Sequence, residues 1–474
     1  MLKHRRALVA ALALVVGLTA ATALAVEPPS APSGAKPDRG LRRCIYSLHP
    51  DGSQGGGPQG KDGIIVLDID NGCSYVRRIP LPCLAEKYGG HGGRGIVGHT
   101  STKRLYYTFM LTNPKTSPTG KGDPVVGCLD VETDRVLWEV YLRNLPETKG
   151  HDVGAGNPAV THDGKKLYVP PEWTGGTETT VLSAADGSVM AIVPTGGTGC
   201  GNAILSPDGK YVYASRHAVR IDTATDRIAW EPASGQESLV KKKGKPVQGP
   251  AAGHDHYMID ATGERMFGTY ECQGEAAIVY SARTGEILDR LSPPQSGPLD
   301  FFWKHWQTCK FGSWSHEGSF TPSGTRFWAQ SMEHVPAPPD DLWSHIVKID
   351  AIGGNASGTL FGRFNCANIN WVTEWDVSRV PAALVKVIAT FSPGHSHAHA
   401  LVTREGDLVL TGDGYALDTE TGKHKGTWKD EDGKWFQGTK FMQVNFRDGQ
   451  VDWVGQRHGT GWLYHVPSLS EKVR

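Results

Sequence analysis

Six stretches of the chain repeat one pattern: an apolar strand, a turn closed by glycine, then a second apolar or aromatic strand. They are AVTHDGKKLYV (159–169), AILSPDGKYVY (203–213), YMIDATGERMF (257–267), SFTPSGTRFWA (319–329), ALVTREGDLVL (400–410) and QVNFRDGQVDW (443–453). A unit that recurs every few tens of residues cannot bury its apolar face alone and must stack on its neighbours, so the chain is confined to a repeat architecture. A second half follows several units: an apolar strand ending near Asp, a turn and a further strand. Examples are VVGCLDVETDRVLWEV (125–140), VRIDTATDRIAWE (219–231), AIVYSARTGEILDRL (277–291) and YALDTETGKHKGTW (415–428). The strands alternate or run apolar between Asp-Gly, Ser-Gly and Thr-Gly turns, and helical periodicity is almost absent. The 59 glycines and 30 prolines among 474 residues suit many short strands joined by tight turns.

Four antiparallel strands repeated radially make a β-propeller blade. Counting GHTSTKRLYYTF (98–109), seven units have a recognisable first half. An eighth segment, GIIVLDIDNGCSYVRRI (63–79), is a second half alone. If it completes the last blade, both termini close a ring of seven; if it stands alone, there are eight. The expected fold is therefore all-β, a seven-bladed (alternatively eight-bladed) β-propeller of four-stranded antiparallel blades, as one domain over residues 43–474. SPDGKYVYAS (206–215) and RIDTATDRIAW (220–230) resemble the repeat of the YVTN (YncE-like) propeller superfamily. That resemblance covers most of residues 43–470 and implies a fold rather than an activity, since such propellers host lyases, oxidoreductases and binding modules. The long insertions at 231–253, 292–315, 332–343 and 363–394 depart from the bare repeat and are candidates for a binding face.

Lys plus Arg and Asp plus Glu number 49 each, so net charge is zero, and a nucleic-acid partner is not expected. The N-terminal MLKHRRALVAALALVVGLTAATALA has a basic start, an apolar run and an Ala23-Leu24-Ala25 cleavage pattern, which reads as a signal peptide over 1–25. A Pro- and Ser-rich linker over 26–42 follows. The expectation is a periplasmic or secreted protein with no membrane span left after cleavage. The eight cysteines would then form disulfides. Cys73 with Cys83, and Cys309 with Cys366, are candidate pairs, although spacing does not decide connectivity.

Eight of the 19 histidines are placed where first strands begin. His99, His151, His254, His256, His316, His395, His397 and His399 all stand at such entries. First strands converge on the axis of a propeller, so residues remote in sequence would meet there. On a strand, residues i and i+2 share a face, which groups His254 with His256, and His395 with His397 and His399. Imidazoles at this spacing suit a divalent transition metal, Cu, Mn or Zn, with His316, His395, His397 and His399 as ligands. His254, His256, Tyr257 and Arg216 are candidate catalytic groups near the same face. Glu317 is a weaker candidate ligand or base, because neighbours on a regular strand point opposite ways. Arg94 has the guanidinium fork that suits a carboxylate. Trp303, Trp306 and Trp314, in the aromatic insertion, would form a carbohydrate platform or lid.

Three functions fit these residues. The first is a metal-dependent lyase on an anionic polysaccharide, in which the metal neutralises a uronate carboxylate and a neutral His or Tyr removes the adjacent proton. Its layout is similar to that of the propeller lyases of the oligogalacturonate type. The second is a periplasmic copper-dependent oxidoreductase using the same histidines. The third is a non-catalytic scaffold for a glycan or protein partner.

Overall fold

The computed structural model describes residues 40–49, 62–84, 92–111, 123–171, 176–196, 201–214, 218–230, 237–242, 245–248, 256–269, 276–291, 314–336, 366–392, 399–438 and 440–455. Within them the chain is all-β, broken only by three short 3-10 turns. Blades 1 to 6 span 93–141, 159–193, 203–230, 256–290, 314–392 and 400–427, and each is a four-stranded antiparallel sheet in sequence order. Blade 7 joins Leu41–His49, Gly63–Asp68 and Ser74–Ile79 to Phe441–Arg447 and Gln450–Val454. The orphan second half thus completes the last blade, and the ring has seven blades closed by residues from both ends of the described chain. The insertion at 231–253 contributes a separate two-stranded hairpin, Glu237–Lys242 with Lys245–Gln248.

The apolar alternation has a direct structural consequence. A blade inside a ring has two buried faces, and each face packs on a neighbour. Seven apolar clusters result, one at each junction. Ile204 and Tyr213 of blade 3, for example, pack against Tyr257 and Ile259 of blade 4. Ile45 and Leu67 of blade 7 meet Leu401 and Trp428 of blade 6. The other junctions are built in the same way.

The glycine that ends each repeat turn has two jobs. Gly164 lies at φ +68°, in the left-handed region, and its α-carbon faces the ring of His99 in the preceding blade; a Cβ there would lie 2.7 Å from His99 Cε1. The same stacking of one turn on the last recurs around the ring: Gly209 on His162, Gly263 on Pro207 and Gly406 on Pro322. The repeat motif therefore records a contact between blades as well as a turn type.

Blade 7 departs from the pattern. In blades 1 to 6 the second strand of the hairpin pairs with the rest of the blade. In blade 7 the first strand, Phe441–Arg447, pairs with Leu41–His49, and Gln450–Val454 becomes a fifth strand on the inner edge. There Val454 exchanges hydrogen bonds with the Thr100 hydroxyl of blade 1 (2.9 and 3.2 Å). Trp453 packs in the cluster of Val402 from blade 6.

The disulfide expectation fails for the cysteines described. Cys44, Cys73, Cys83 and Cys128 are free, buried thiols. Cys73 belongs to the junction of blades 6 and 7, and Cys83 to that of blades 7 and 1, so the candidate pair is separated by a sheet. Burial pushes the thiols of Cys44, Cys73 and Cys128 up to about 12.

A candidate acid–base site at the start of the first strands

The first strands of the blades lie side by side around the axis, and two pairs are close enough to bridge in parallel: Asn157 with Asn202, and Glu317 with His399. At this end of the ring five blades each contribute a polar side chain. Glu317, from blade 5, is at the centre and has no solvent exposure. His256, the first residue of the blade 4 strand His256–Ile259, places Nδ1 2.6 Å from Glu317 Oε1. Asn157, just ahead of blade 2, donates from Nδ2 to the same oxygen at 3.1 Å. His399, just ahead of blade 6, lies with Nδ1 3.5 Å from Oε2. Lys440, just ahead of the Phe441–Arg447 strand, holds its ammonium 3.8 Å from Oε1. All four partners are buried. The rings of His256 and His399 meet edge to face, with centroids 6.0 Å apart.

Local backbone geometry explains how Glu317 reaches the centre. The register between Trp314–Phe320 and its partner shifts between Ser315 and Gly318, so that two residues, His316 and Glu317, oppose one. Such a bulge breaks the alternation of side chains and re-aims one of them. Alternation would turn Glu317 away from the face of His316 only on a regular strand. Gly318 allows the bulge to sit tightly, since a Cβ there would meet Phe327 Cζ at 2.3 Å. Asn157 is fixed through its backbone: its N–H donates to Gly201 and its carbonyl accepts from Ala203, both at 2.9 Å.

A buried carboxylate is costly unless it is hydrogen-bonded and charge-compensated. Here the amide of Asn157 and the imidazole of His256 saturate one oxygen, and Lys440 supplies a positive charge. The short His256–Glu317 contact orients the imidazole, as a carboxylate does for a catalytic histidine.

Two imidazoles and a carboxylate are also a common donor set for divalent transition metals. Ligands about 2.0–2.2 Å from one tetrahedral ion stand roughly 3.3 Å apart, so 2.6 Å between Nδ1 and Oε1 is a hydrogen-bond separation. Among the described residues, no three His, Cys, Asp or Glu side chains are arranged to hold one ion. The donors around Glu317, as placed, do not fit a metal.

Of the residues singled out from the sequence, His256 and His399 lie together, each against Glu317. Tyr257 alternates away from His256 into the apolar junction of blades 3 and 4, and its carbonyl accepts from Asn202 at 3.1 Å. His99 is buried in the stacked turns, with Nδ1 3.0 Å from the Thr102 hydroxyl and Nε2 3.0 Å from the His162 carbonyl. His151 is at the surface beside Glu178, 3.1 Å away. Arg94 is buried, as the extra residue of a bulge between Gly93 and Gly95 in the first strand of blade 1. Trp314 and His316 lie on the first strand of blade 5, with side chains outside the described residues. Arg216, His254, Trp303, Trp306, His395 and His397 also lie outside them. Asn157 and Lys440 were not anticipated; their common signal is a polar residue immediately before a first strand, the position that yielded the histidines.

The ring and its cluster define the chain as a seven-bladed β-propeller with a polar centre. Searches against known protein families and curated proteins return no match. Similar solved structures include a putative 6-phosphogluconolactonase from Bacteroides uniformis (12% identity, TM-score 0.43, covering 88% of this chain and 100% of that one). The β-propeller domain of Cps50 (Swd1) from Myceliophteria thermophila is similar at 9% identity and TM-score 0.42, covering 78% of this chain and 90% of that one. The C-terminal WD40 domain of Sif2 is similar at 7% identity and TM-score 0.41, covering 74% and 72%.

Proposed function

We propose that this propeller is an acid–base enzyme acting on an anionic glycan, with proton abstraction next to a carboxylate as its chemistry and elimination as the outcome. The carrying observation is the His256–Glu317 pair, 2.6 Å apart and sealed among side chains from three further blades. Gathering polar residues from four blades on the buried carboxylate of a fifth is expensive as mere scaffolding, and a buried cluster of titratable groups is a functional-site candidate. In this reading Glu317 orients His256 and stabilises its protonated form. His256 takes the proton through its other ring nitrogen, and His399, against the same carboxylate, returns a proton to the leaving oxygen. The apolar N-terminal segment supports action in the periplasm or outside the cell, and the repeat supports kinship with YVTN-type propellers.

The test is ultraviolet detection of unsaturated product from polyuronates, with His256→Ala and Glu317→Gln as controls. Loss of about 10²-fold or more in kcat for both, with folding intact, supports the proposal. A wild-type protein inert on all polyuronates refutes it. Complete burial of Glu317 favours a second reading, in which the cluster fixes the register of the blades in a binding scaffold. That reading expects Glu317→Gln to lower the melting temperature steeply without changing any turnover.

A further inference from the structure

We infer that Asn157 and Asn202 form a paired acceptor site beside Glu317, whose ligand is a neutral hydroxyl group supplied by water or by a sugar. The two residues hold the same place in successive blades. Each ends a Gly-x-Gly-Asn run ahead of a first strand, GAGN (154–157) before blade 2 and GCGN (199–202) before blade 3. Asn157 and Asn202 pair in parallel: Asn157 N–H donates to the Gly201 carbonyl and Ala203 N–H to the Asn157 carbonyl, both at 2.9 Å. Residues opposite each other in a ladder put their side chains on one face, and the backbones carrying them run about 4.8 Å apart. The glycine before each asparagine permits the close packing here. A Cβ on Gly156 would lie 2.4 Å from the Gly201 carbonyl oxygen, and one on Gly201 would lie 1.6 Å from that of Pro171.

Chemistry fixes the orientation of both amides. Asn157 Nδ2 donates to Glu317 Oε1, and Asn202 Nδ2 donates to the Tyr257 carbonyl, each at 3.1 Å. Neither amide can be turned end for end without setting acceptor against acceptor. Each Oδ1 is the atom left over. Asn157 is 2% exposed and Asn202 0%, and among the described residues neither Oδ1 has a hydrogen-bond partner. Bare buried acceptors are rare and costly, and two at facing positions point to a shared donor. Two acceptors exclude an anion. A cation is a poor match, because both oxygens are uncharged and a hard cation gathers about six or more oxygens. The Lys440 ammonium also stands 3.8 Å from the Glu317 oxygen that Asn157 holds. A hydroxyl ligand fits: one water gives a proton to each oxygen, and two neighbouring hydroxyls of a sugar do the same. The carboxylate at the Asn157 N–H polarises that amide and makes its Oδ1 a stronger acceptor. A hydroxyl held there stands one amide away from Glu317.

The experiment is a crystal structure of the full chain at a resolution that shows ordered water, first without additives and then after a soak in galacturonate. The first crystal is expected to show one water within hydrogen-bond reach of both Oδ1 atoms. Galacturonate hydroxyls in its place in the second make sugar the source; an unmoved water makes water the resident ligand. Asn202→Leu keeps much of the side-chain volume and removes the acceptor, so the water should be lost in that variant, with a thermal melt verifying its fold. The wild-type crystals decide even if the variant does not fold. The inference falls if both oxygens accept from protein groups or if the space beside them is empty. It falls also if the water persists in folded Asn202→Leu, or if the peak refines as a cation with bonds of about 2.3–2.6 Å. Only the sugar as source rests on the acid–base reading. A wild-type protein inert on polyuronates removes that reading, while an occupied pair leaves this site standing.

Discussion

Replacing Gly164 by alanine isolates the contact that stacks one repeat turn on the last. Two terms contribute. An L-residue at φ +68° costs about 1 kcal/mol over glycine. The new methyl would also lie 2.7 Å from Cε1 and 2.9 Å from Nδ1 of His99, whose ring is 1% exposed and bonded at both nitrogens, to Thr102 and to the His162 carbonyl. The ring cannot retreat without losing those bonds, each worth about 1 kcal/mol net. Gly164→Ala should therefore cost about 3 kcal/mol. Gly449 is the internal control: it lies at φ +81° in the equivalent turn of blade 7, with nothing within 4 Å of a Cβ. Gly449→Ala keeps only the backbone term, about 1 kcal/mol. Urea unfolding followed by tryptophan fluorescence should separate the two by about 2 kcal/mol. In a His99→Ala background the clash disappears, so Gly164→Ala should there cost no more than Gly449→Ala. Equal costs for both glycines in wild type, or an undiminished cost in the His99→Ala background, would refute the interlocking of turns.

Ring closure rests partly on Arg43 of Leu41–His49, which reaches Asp70 of its own blade (2.6 Å) and, in the first turn of blade 6, Asp407 (2.6 Å) and Glu405 (3.3 Å). Arg43→Met should cost about 1–2 kcal/mol, the partners being partly exposed. Burial alone would raise the Asp407 carboxyl, but the hydrogen bond and charge of Arg43 outweigh it and hold it below its ordinary 3.8. A carboxyl lowered on folding stabilises above its unfolded value and loses that contribution as pH falls through the folded one, so wild type should weaken below about pH 4 more steeply than Arg43→Met in acid-titrated melts. Cys44, Cys73, Cys83 and Cys128 should resist iodoacetamide at pH 8 in the native protein and alkylate fully in urea, as read by peptide mass spectrometry; native labelling of Cys44 would contradict its burial. Asn202→Ala should destabilise by about 1–2 kcal/mol by leaving the buried Tyr257 carbonyl without its donor.

The amino-acid sequence by itself determined the blade. Its period, its Gly-closed turns and its alternating strands leave no other way to bury the apolar faces, and they placed His256 and His399 at the starts of first strands. Only the tertiary structure decided that the ring closes at seven, because closure depends on whether 41–79 pairs with 441–454, a contact between remote segments. It also decided that Glu317 stands at the described centre, with His256 and His399 against it. A bulge two residues long overrides strand alternation, and Asn157 and Lys440 acquire meaning only where parallel first strands from different blades bring them to one carboxylate.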